Sequence, residues 1–151
     1  MHGALRARAA LQSCLGVGLA LLHTSHACAS PAQDYMLHCM GCHGSNAQGV
    51  AGKVPPLAGS LAQFMRTAAG RQYVLRVPGA ANSMLDDAQL AAVLNWVAQR
   101  FDGGAPTANL VPFTPNEVTA SRHAPMASVQ ETRAAVVKEL AASGPAPASH
   151  Y

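Results

Sequence analysis

Four side chains that bind soft metals or form covalent bonds lie within six positions of this sequence. His38, Cys39, Cys42 and His43 belong to the stretch YMLHCMGCHGS, residues 35–45. Two cysteines separated by two residues and followed by a histidine suit three chemistries: a redox dithiol, a zinc site, and covalent attachment of haem. The rest of the sequence discriminates between them.

The first 29 residues have the composition of an export signal. Arg6 and Arg8 precede an apolar run of 14 residues, 9–22, and Ala27-Cys28-Ala29 then offers small residues for cleavage. Such a run is shorter than the about 20 residues that a helix needs to cross a bilayer. We therefore predict a cleaved signal peptide over residues 1–29 and a periplasmic protein that meets membranes only through its partners. An uncleaved membrane anchor is the alternative.

Removal of this peptide changes the counts of cysteine and charge. Cys14 and Cys28 are lost, so the mature chain keeps only Cys39 and Cys42. One pair at this spacing in an exported protein is not a disulfide scaffold. Two arginines leave with the peptide, which lowers the formal net charge from +3 to +1. Because no run of basic residues remains, nucleic acid is excluded as a partner.

Helix signals recur along the mature chain, and no stretch shows the sustained alternation of a half-buried strand. They predict a helix capped by Ser30 to about Met40, a helix capped by Ser60 and ended by Gly70, a short helix over 71–77, and a long helix capped by Asp86 and closed by residues 102–104. Residues 44–59 hold four glycines and two prolines, which is typical of a loop. The sequence thus predicts an all-α domain over residues 30–104.

The composition changes after residue 104 and defines a C-terminal extension, 105–151, rich in Pro, Ala and Thr. Thr114 and Ser128 are placed to cap two helices, the second reaching about Ala142. The final stretch, SGPAPASHY, has the composition of a disordered end. The extension is therefore predicted to be partly helical, and none of its residues forms a recognisable chemical site.

The setting of the cysteines separates the three chemistries. A thioredoxin-type dithiol needs a βαβ unit, and a structural zinc needs four ligands, usually from two such pairs. Haem attachment fits better, because thiols one helical turn apart meet the two vinyl groups on one edge of a porphyrin, and the histidine that follows binds the iron. We predict one haem c bound through Cys39 and Cys42 with His43 as iron ligand, and zinc or a dithiol as minor alternatives.

Residues 30–102 resemble the small class I c-type cytochromes in the motif CMGCH and in the loop KVPPLAG. The resemblance implies a cytochrome c-like fold of three to five helices around one covalently attached haem, here with the helical and irregular extension. It also implies that the carbonyl of Pro55 accepts the Nδ1 hydrogen of His43. Such a bond fixes the imidazole tautomer and makes the ring a better iron donor.

The sixth iron ligand has more than one candidate. The resemblance implies a methionine in the loop before the last helix, where Met84 stands in VPGAANSMLDD. Met84 nevertheless abuts the helix cap, and Val77-Pro78 fills the place where the family usually has Met followed by Pro. Met65 lies on an apolar helical face, where a core methionine is the ordinary interpretation. We predict Met84 as the ligand, and an open iron is the alternative.

A haem with both axial positions filled has no place for a substrate and exchanges one electron. The resemblance therefore implies a periplasmic electron carrier and not an enzyme. Its partners would be redox proteins such as a periplasmic dehydrogenase or oxidase, or a membrane complex. Two alternatives stay open: a haem protein with an open distal site for gas binding or peroxide chemistry, and a haem subunit of a larger dehydrogenase complex.

Overall fold

The computed structural model describes residues 29–104 and 109–149, so the predicted signal peptide lies outside the described residues except for Ala29. These two ranges contain eight helices: α1 Pro31–His38, α2 Met40–His43, α3 Leu61–Phe64, α4 Ala68–Arg76, α5 Pro78–Ala81, α6 Asp87–Arg100, α7 Pro115–Ser121 and α8 Val129–Ala142. Apart from an isolated bridge between Val50 and Val54, no described residue is in a strand. The all-α prediction is confirmed. No helix in these ranges is long and apolar enough to cross a membrane.

Helices α1 and α6, which cross each other, begin where the sequence predicts. The Ser30 side chain accepts a hydrogen bond from the backbone of Gln33, and the Ser30 backbone N–H donates to the Gln33 side chain in return. Asp86 and Gln89 make the same reciprocal pair at the start of α6. Each capping box satisfies backbone donors that the first helical turn leaves unpaired.

An aromatic cluster forms where α1 and α6 cross. The ring centroid of Tyr35 lies 5.7 Å from that of Trp96 and 5.5 Å from that of Phe101. The Tyr35 hydroxyl also donates to the carbonyl of Gly44, at 2.6 Å. Tyr35 therefore ties the crossing of the two helices to the residue that follows the CMGCH motif.

The CMGCH motif lies on a helical turn of its own. Helix α1 ends at His38, not at about Met40 as the sequence predicts, because Cys39 adopts φ −124° and ψ −40°. Helix α2 then restarts at Met40 and ends at His43. Cys39 is therefore both the C-cap of α1 and the N-cap of α2.

The prediction that Gly70 ends a helix is wrong. Helix α3 stops at Phe64, and Gly70 lies in the first turn of α4, where its backbone N–H donates to the Thr67 hydroxyl. A Cβ at position 70 would lie 2.1 Å from the carbonyl oxygen of Phe64. Glycine is required here because two short helices pack closely and not because a helix terminates. Ser60 likewise makes no side-chain cap and instead donates to the Pro56 carbonyl.

The extension packs on the domain through α7 and α8. Thr114 and Ser128 cap these helices as predicted. Two hydrogen bonds join Asn95 of α6 to the backbone of Phe113, at 2.7 and 3.0 Å, and Phe113 is buried. The described extension is thus part of the folded core and not a loose appendage.

Arginine side chains of the domain reach the extension, mostly at main-chain carbonyls. Arg71 pairs with Glu117 at 2.5 Å and donates to the Val111 carbonyl at 2.6 Å. Arg76 donates to the Ala124 carbonyl at 3.2 Å. Arg66 donates to the carbonyl of Pro145, so the 143–149 segment, whose composition predicts disorder, contacts the domain.

Candidate functional site

The motif opens onto a crevice of about 310 Å³ with mostly apolar walls. One side of it, which we call the motif side, is built from the motif and the loop after it. The other, which we call the helical side, is built from residues of α3 to α6, α8 and the segments between them. The motif side includes Cys39, Cys42, His43, Pro55 and Pro56, and the helical side includes Phe64, Tyr73, Val77, Leu90 and Leu94. An apolar crevice with one cluster of donors suits a large flat cofactor.

His43 is oriented by the loop. Its Nδ1 lies 3.0 Å from the carbonyl oxygen of Pro55, as the resemblance implies. Burial lowers the pKa of His43, and the Pro55 hydrogen bond opposes this shift. A neutral ring with its hydrogen on Nδ1 keeps the lone pair on Nε2, which is the form that binds a metal.

Gly49 allows the loop to bring Pro55 to His43. It adopts φ +68°, and a Cβ there would lie 2.3 Å from the Val54 carbonyl oxygen and 2.8 Å from that of Pro55. The backbone N–H of Gly49 also donates to the His43 carbonyl, at 2.8 Å. The loop is therefore hydrogen-bonded to both the main chain and the side chain of His43.

Cys39 and Cys42 form no disulfide, and both line the same crevice. Burial raises the pKa of Cys39 to about 11, with further contributions from the negative charges of Asp34 and Cys42. No group of three His, Cys, Asp or Glu side chains placed to hold a metal occurs in the described residues. The donor set fits a porphyrin joined by thioethers and held by His43.

Comparison with known proteins agrees with this geometry. The family model of cytochrome c matches residues 32–100. A cytochrome c-552 of Thermus thermophilus is 33% identical over 102 residues, which cover 56% of this chain and 78% of that protein. A second cytochrome c-552 of the same species is 34% identical over 102 residues, with 56% and 69% covered. This chain belongs to the cytochrome c family. It is a small class I c-type cytochrome, an electron-carrier haem protein with haem c attached through Cys39 and Cys42.

The cytochrome places Met84 outside the crevice. Its side chain is 90% exposed, and it is not among the residues that line the crevice. Met65 is buried, at 5% exposure, but packs in the core away from the crevice lining. Ligation of the iron by Met84 stays a prediction, and it would require the chain around residue 84 to turn inward.

The extension contributes two residues to the crevice that the sequence analysis did not identify. Val129 and Arg133, both from α8, line it on the helical side. Arg133 is only 3% exposed; its guanidinium lies 5.1 Å from the ring centroid of Phe64 and donates to the Ala148 carbonyl at 2.9 Å. Arg133 lies 90 positions after His43 in the sequence. Its place in the crevice follows from the packing of α8 and could not be predicted from the sequence.

Proposed function

We propose that this cytochrome is a periplasmic one-electron carrier that connects a dehydrogenase or membrane complex with a terminal acceptor. The observation that carries the proposal is the motif side, where Pro55 orients His43 beside the two attachment cysteines. A histidine held in one tautomer and one direction gives iron a fixed ligand in both oxidation states. A carrier needs its iron ligands to move little when the iron gains or loses an electron.

Reversible redox cycling of the purified holoprotein tests the carrier role. We expect a potentiometric titration to follow a one-electron curve with identical oxidative and reductive branches. Covalent haem should remain with the polypeptide after acid–acetone extraction. Hysteresis between the branches, or a stoichiometry other than one haem per chain, would contradict the proposal.

Export is part of the proposal and has its own measurement. The N-terminal Arg residues and the apolar run of 14 residues support cleavage before Ser30. We expect the intact mass to equal residues 30–151 plus one haem, and the protein to be released with the periplasmic fraction. A mass that includes residues 1–29, with membrane association, would support a tethered cytochrome instead.

A redox partner is proposed to dock at an apolar patch beside the motif. Leu37 and Met36 of α1 are 75% and 51% exposed, in the turn that precedes Cys39. The mature chain has two lysines, Lys53 and Lys138, and several arginines are bound to the extension. Since long-range attraction needs free surface charge, we expect electron transfer to a partner to depend weakly on ionic strength.

Replacement of the patch tests this docking surface. Leu37→Ser should slow second-order electron transfer to a periplasmic dehydrogenase, whereas Val111→Ser, a similar loss of an apolar side chain at an exposed position of the extension, should leave the rate unchanged. Both variants should keep the reduction potential of the wild type. Equal rates for Leu37→Ser and the wild type, or a steep salt dependence, would contradict docking at this patch.

A further inference from the structure

Among the described residues, the helical side of the crevice offers iron no methionine and no histidine. Within residues 29–104 and 109–149, the sulfur and imidazole groups that line the crevice are His38, Cys39, Cys42 and His43, all on or next to the motif. The two thiols are used for haem attachment, and His38 is an exposed residue at the end of α1. A thioether ligand from the helical side, the usual arrangement for a low-spin carrier, has no described residue to supply it in this conformation.

A buried arginine of the extension holds the segment that carries Met84. The guanidinium of Arg122, 6% exposed, donates to the carbonyls of Leu85 and Ser83 at 3.0 and 2.9 Å. A longer contact of 3.4 Å reaches the carbonyl of Ala80. Arg122 also pairs with Asp87 at 2.8 Å, in the first turn of α6. Because the planar guanidinium binds three carbonyls at once, it holds the backbone of residues 80–85 in place.

Inward rotation of Met84 would break this arrangement. Leu85, its neighbour, is buried at 4% exposure, and Asp86 caps α6. Turning residue 84 inward would move the Ser83 and Leu85 carbonyls off Arg122 and leave a buried cation without those acceptors. Leaving buried charged donors unsatisfied is costly, so the packed extension favours the exposed position of Met84.

We propose that the described residues leave the sixth position of the haem iron open, and that this position binds a small neutral ligand of the size of carbon monoxide or nitric oxide. On the helical side, the guanidinium of Arg133 contacts the Phe64 ring and the Ala148 carbonyl. Val74, Val77, Leu90 and Leu94 add apolar groups to the same wall, which favours a neutral diatomic. Peroxide chemistry needs a histidine and an arginine placed together to move charge and protons, and no histidine of the described residues lies on the helical side. This inference rests on haem attachment through the motif but not on the carrier role.

The test is carbon monoxide binding by the reduced, full-length holoprotein, read from the absorption spectrum. We expect the wild type to bind carbon monoxide stoichiometrically and to be high-spin when oxidised. Met84→Ala should give the same spectrum, with a ratio of dissociation constants of about one. If the wild type is low-spin and excludes carbon monoxide while Met84→Ala binds it, Met84 is the ligand and the proposal is overturned.

Two further variants keep the result interpretable. Tyr73→Phe removes a phenol oxygen from the helical side; carbon monoxide binding that appears only in this variant would also overturn the proposal. Met65→Ala should leave the spectrum unchanged, and a switch to high spin there would identify Met65 as the ligand against the proposal. One-electron cycling is measured separately, so a protein that cycles but refuses carbon monoxide retains the carrier role and loses only this inference.

Discussion

The two sides of the crevice differ in how their functional groups are held. On the motif side, local chain geometry positions His43: the Pro55 carbonyl lies 12 residues away in sequence and 3.0 Å away in space. On the helical side, contacts from the extension position the walls, with Arg122 at residues 80–85 and Arg133 against Phe64. The groups that identify the cofactor therefore lie on the motif side, and the walls of the helical side depend on contacts with the extension.

Haem attachment and the packing of the helical side therefore depend on different parts of the chain. The groups that hold the haem lie on one continuous stretch, the motif and the loop after it, so their geometry depends on local contacts. The helical side depends on contacts between segments more than 35 residues apart in sequence. Substitutions on the two sides should consequently affect different observables, and four experiments test this.

Loss of both attachment cysteines should have the largest effect. Cys39→Ala with Cys42→Ala removes the covalent link to haem, and His43 alone leaves the cofactor exchangeable. We expect no haem in the polypeptide after acid–acetone extraction and a marked loss of helical circular dichroism, because the apolar crevice is no longer filled. A haem-free double variant that keeps wild-type helicity would show that the core does not depend on the cofactor.

The second-largest effect should come from a strained backbone in the loop that holds His43. Gly49→Ala forces a side chain into φ +68° and against the Val54 carbonyl, so we expect a loss of about 1–3 kcal/mol in the free energy of unfolding and a changed His43–iron stretching frequency. Gly104→Ala is the matched control, since Gly104 has a similar φ of +83° but a Cβ there meets nothing within 4 Å. Equal effects from the two substitutions would show that the loop does not hold His43.

Two methionines away from the crevice lining, Met65 and Met84, should behave differently from each other. Met65→Ala empties a buried site, and we expect a loss of about 2–5 kcal/mol in the free energy of unfolding. Met84→Ala removes an exposed side chain and should stay within about 0.5 kcal/mol of the wild type. Urea denaturation of both variants makes the measurement; a larger loss for Met84→Ala would place its side chain inside the crevice in solution.

The smallest effect should be the pH dependence of the stability that Asp87 provides through its contacts with the extension. Hydrogen bonds from Thr119 and then Arg122 lower the pKa of Asp87. A lowered folded-state pKa stabilises the protein fully above the ordinary aspartate pKa, and this contribution is lost as the pH falls through the lowered value. The midpoint temperature of thermal unfolding of Asp87→Asn should therefore approach that of the wild type as the pH is lowered below about 4. A difference that is constant from neutral to acid pH would exclude a role for the Asp87 charge.

Features encoded by neighbouring residues could be predicted from the sequence. Ser30, Asp86, Thr114 and Ser128 each cap the helix that follows, because a capping side chain bonds to the backbone two or three positions on. The attachment motif is predictable for the same reason. All the residues that attach the haem and bind its iron on the motif side lie within five consecutive positions, 39–43.

Features that depend on distant packing could not be predicted. Gly70 has the local look of a helix end, yet its role follows from the approach of the Phe64 carbonyl. Met84 has the expected position in sequence, but the carbonyls around it are bound by Arg122 from the extension. Nothing local to residues 77–86 indicates that an arginine 38 positions after Met84 fixes which way that residue faces.

The position of Arg122 and Arg133 near the end of the chain also sets an order of events. A chain is synthesised and exported from its N-terminus, so the motif emerges before α7 and α8 exist to pack on it. Until then the crevice lacks Val129 and Arg133 from its wall, and the carbonyls of residues 80–85 are not yet held. The helical side of the crevice is therefore completed last, by the segment that is made last.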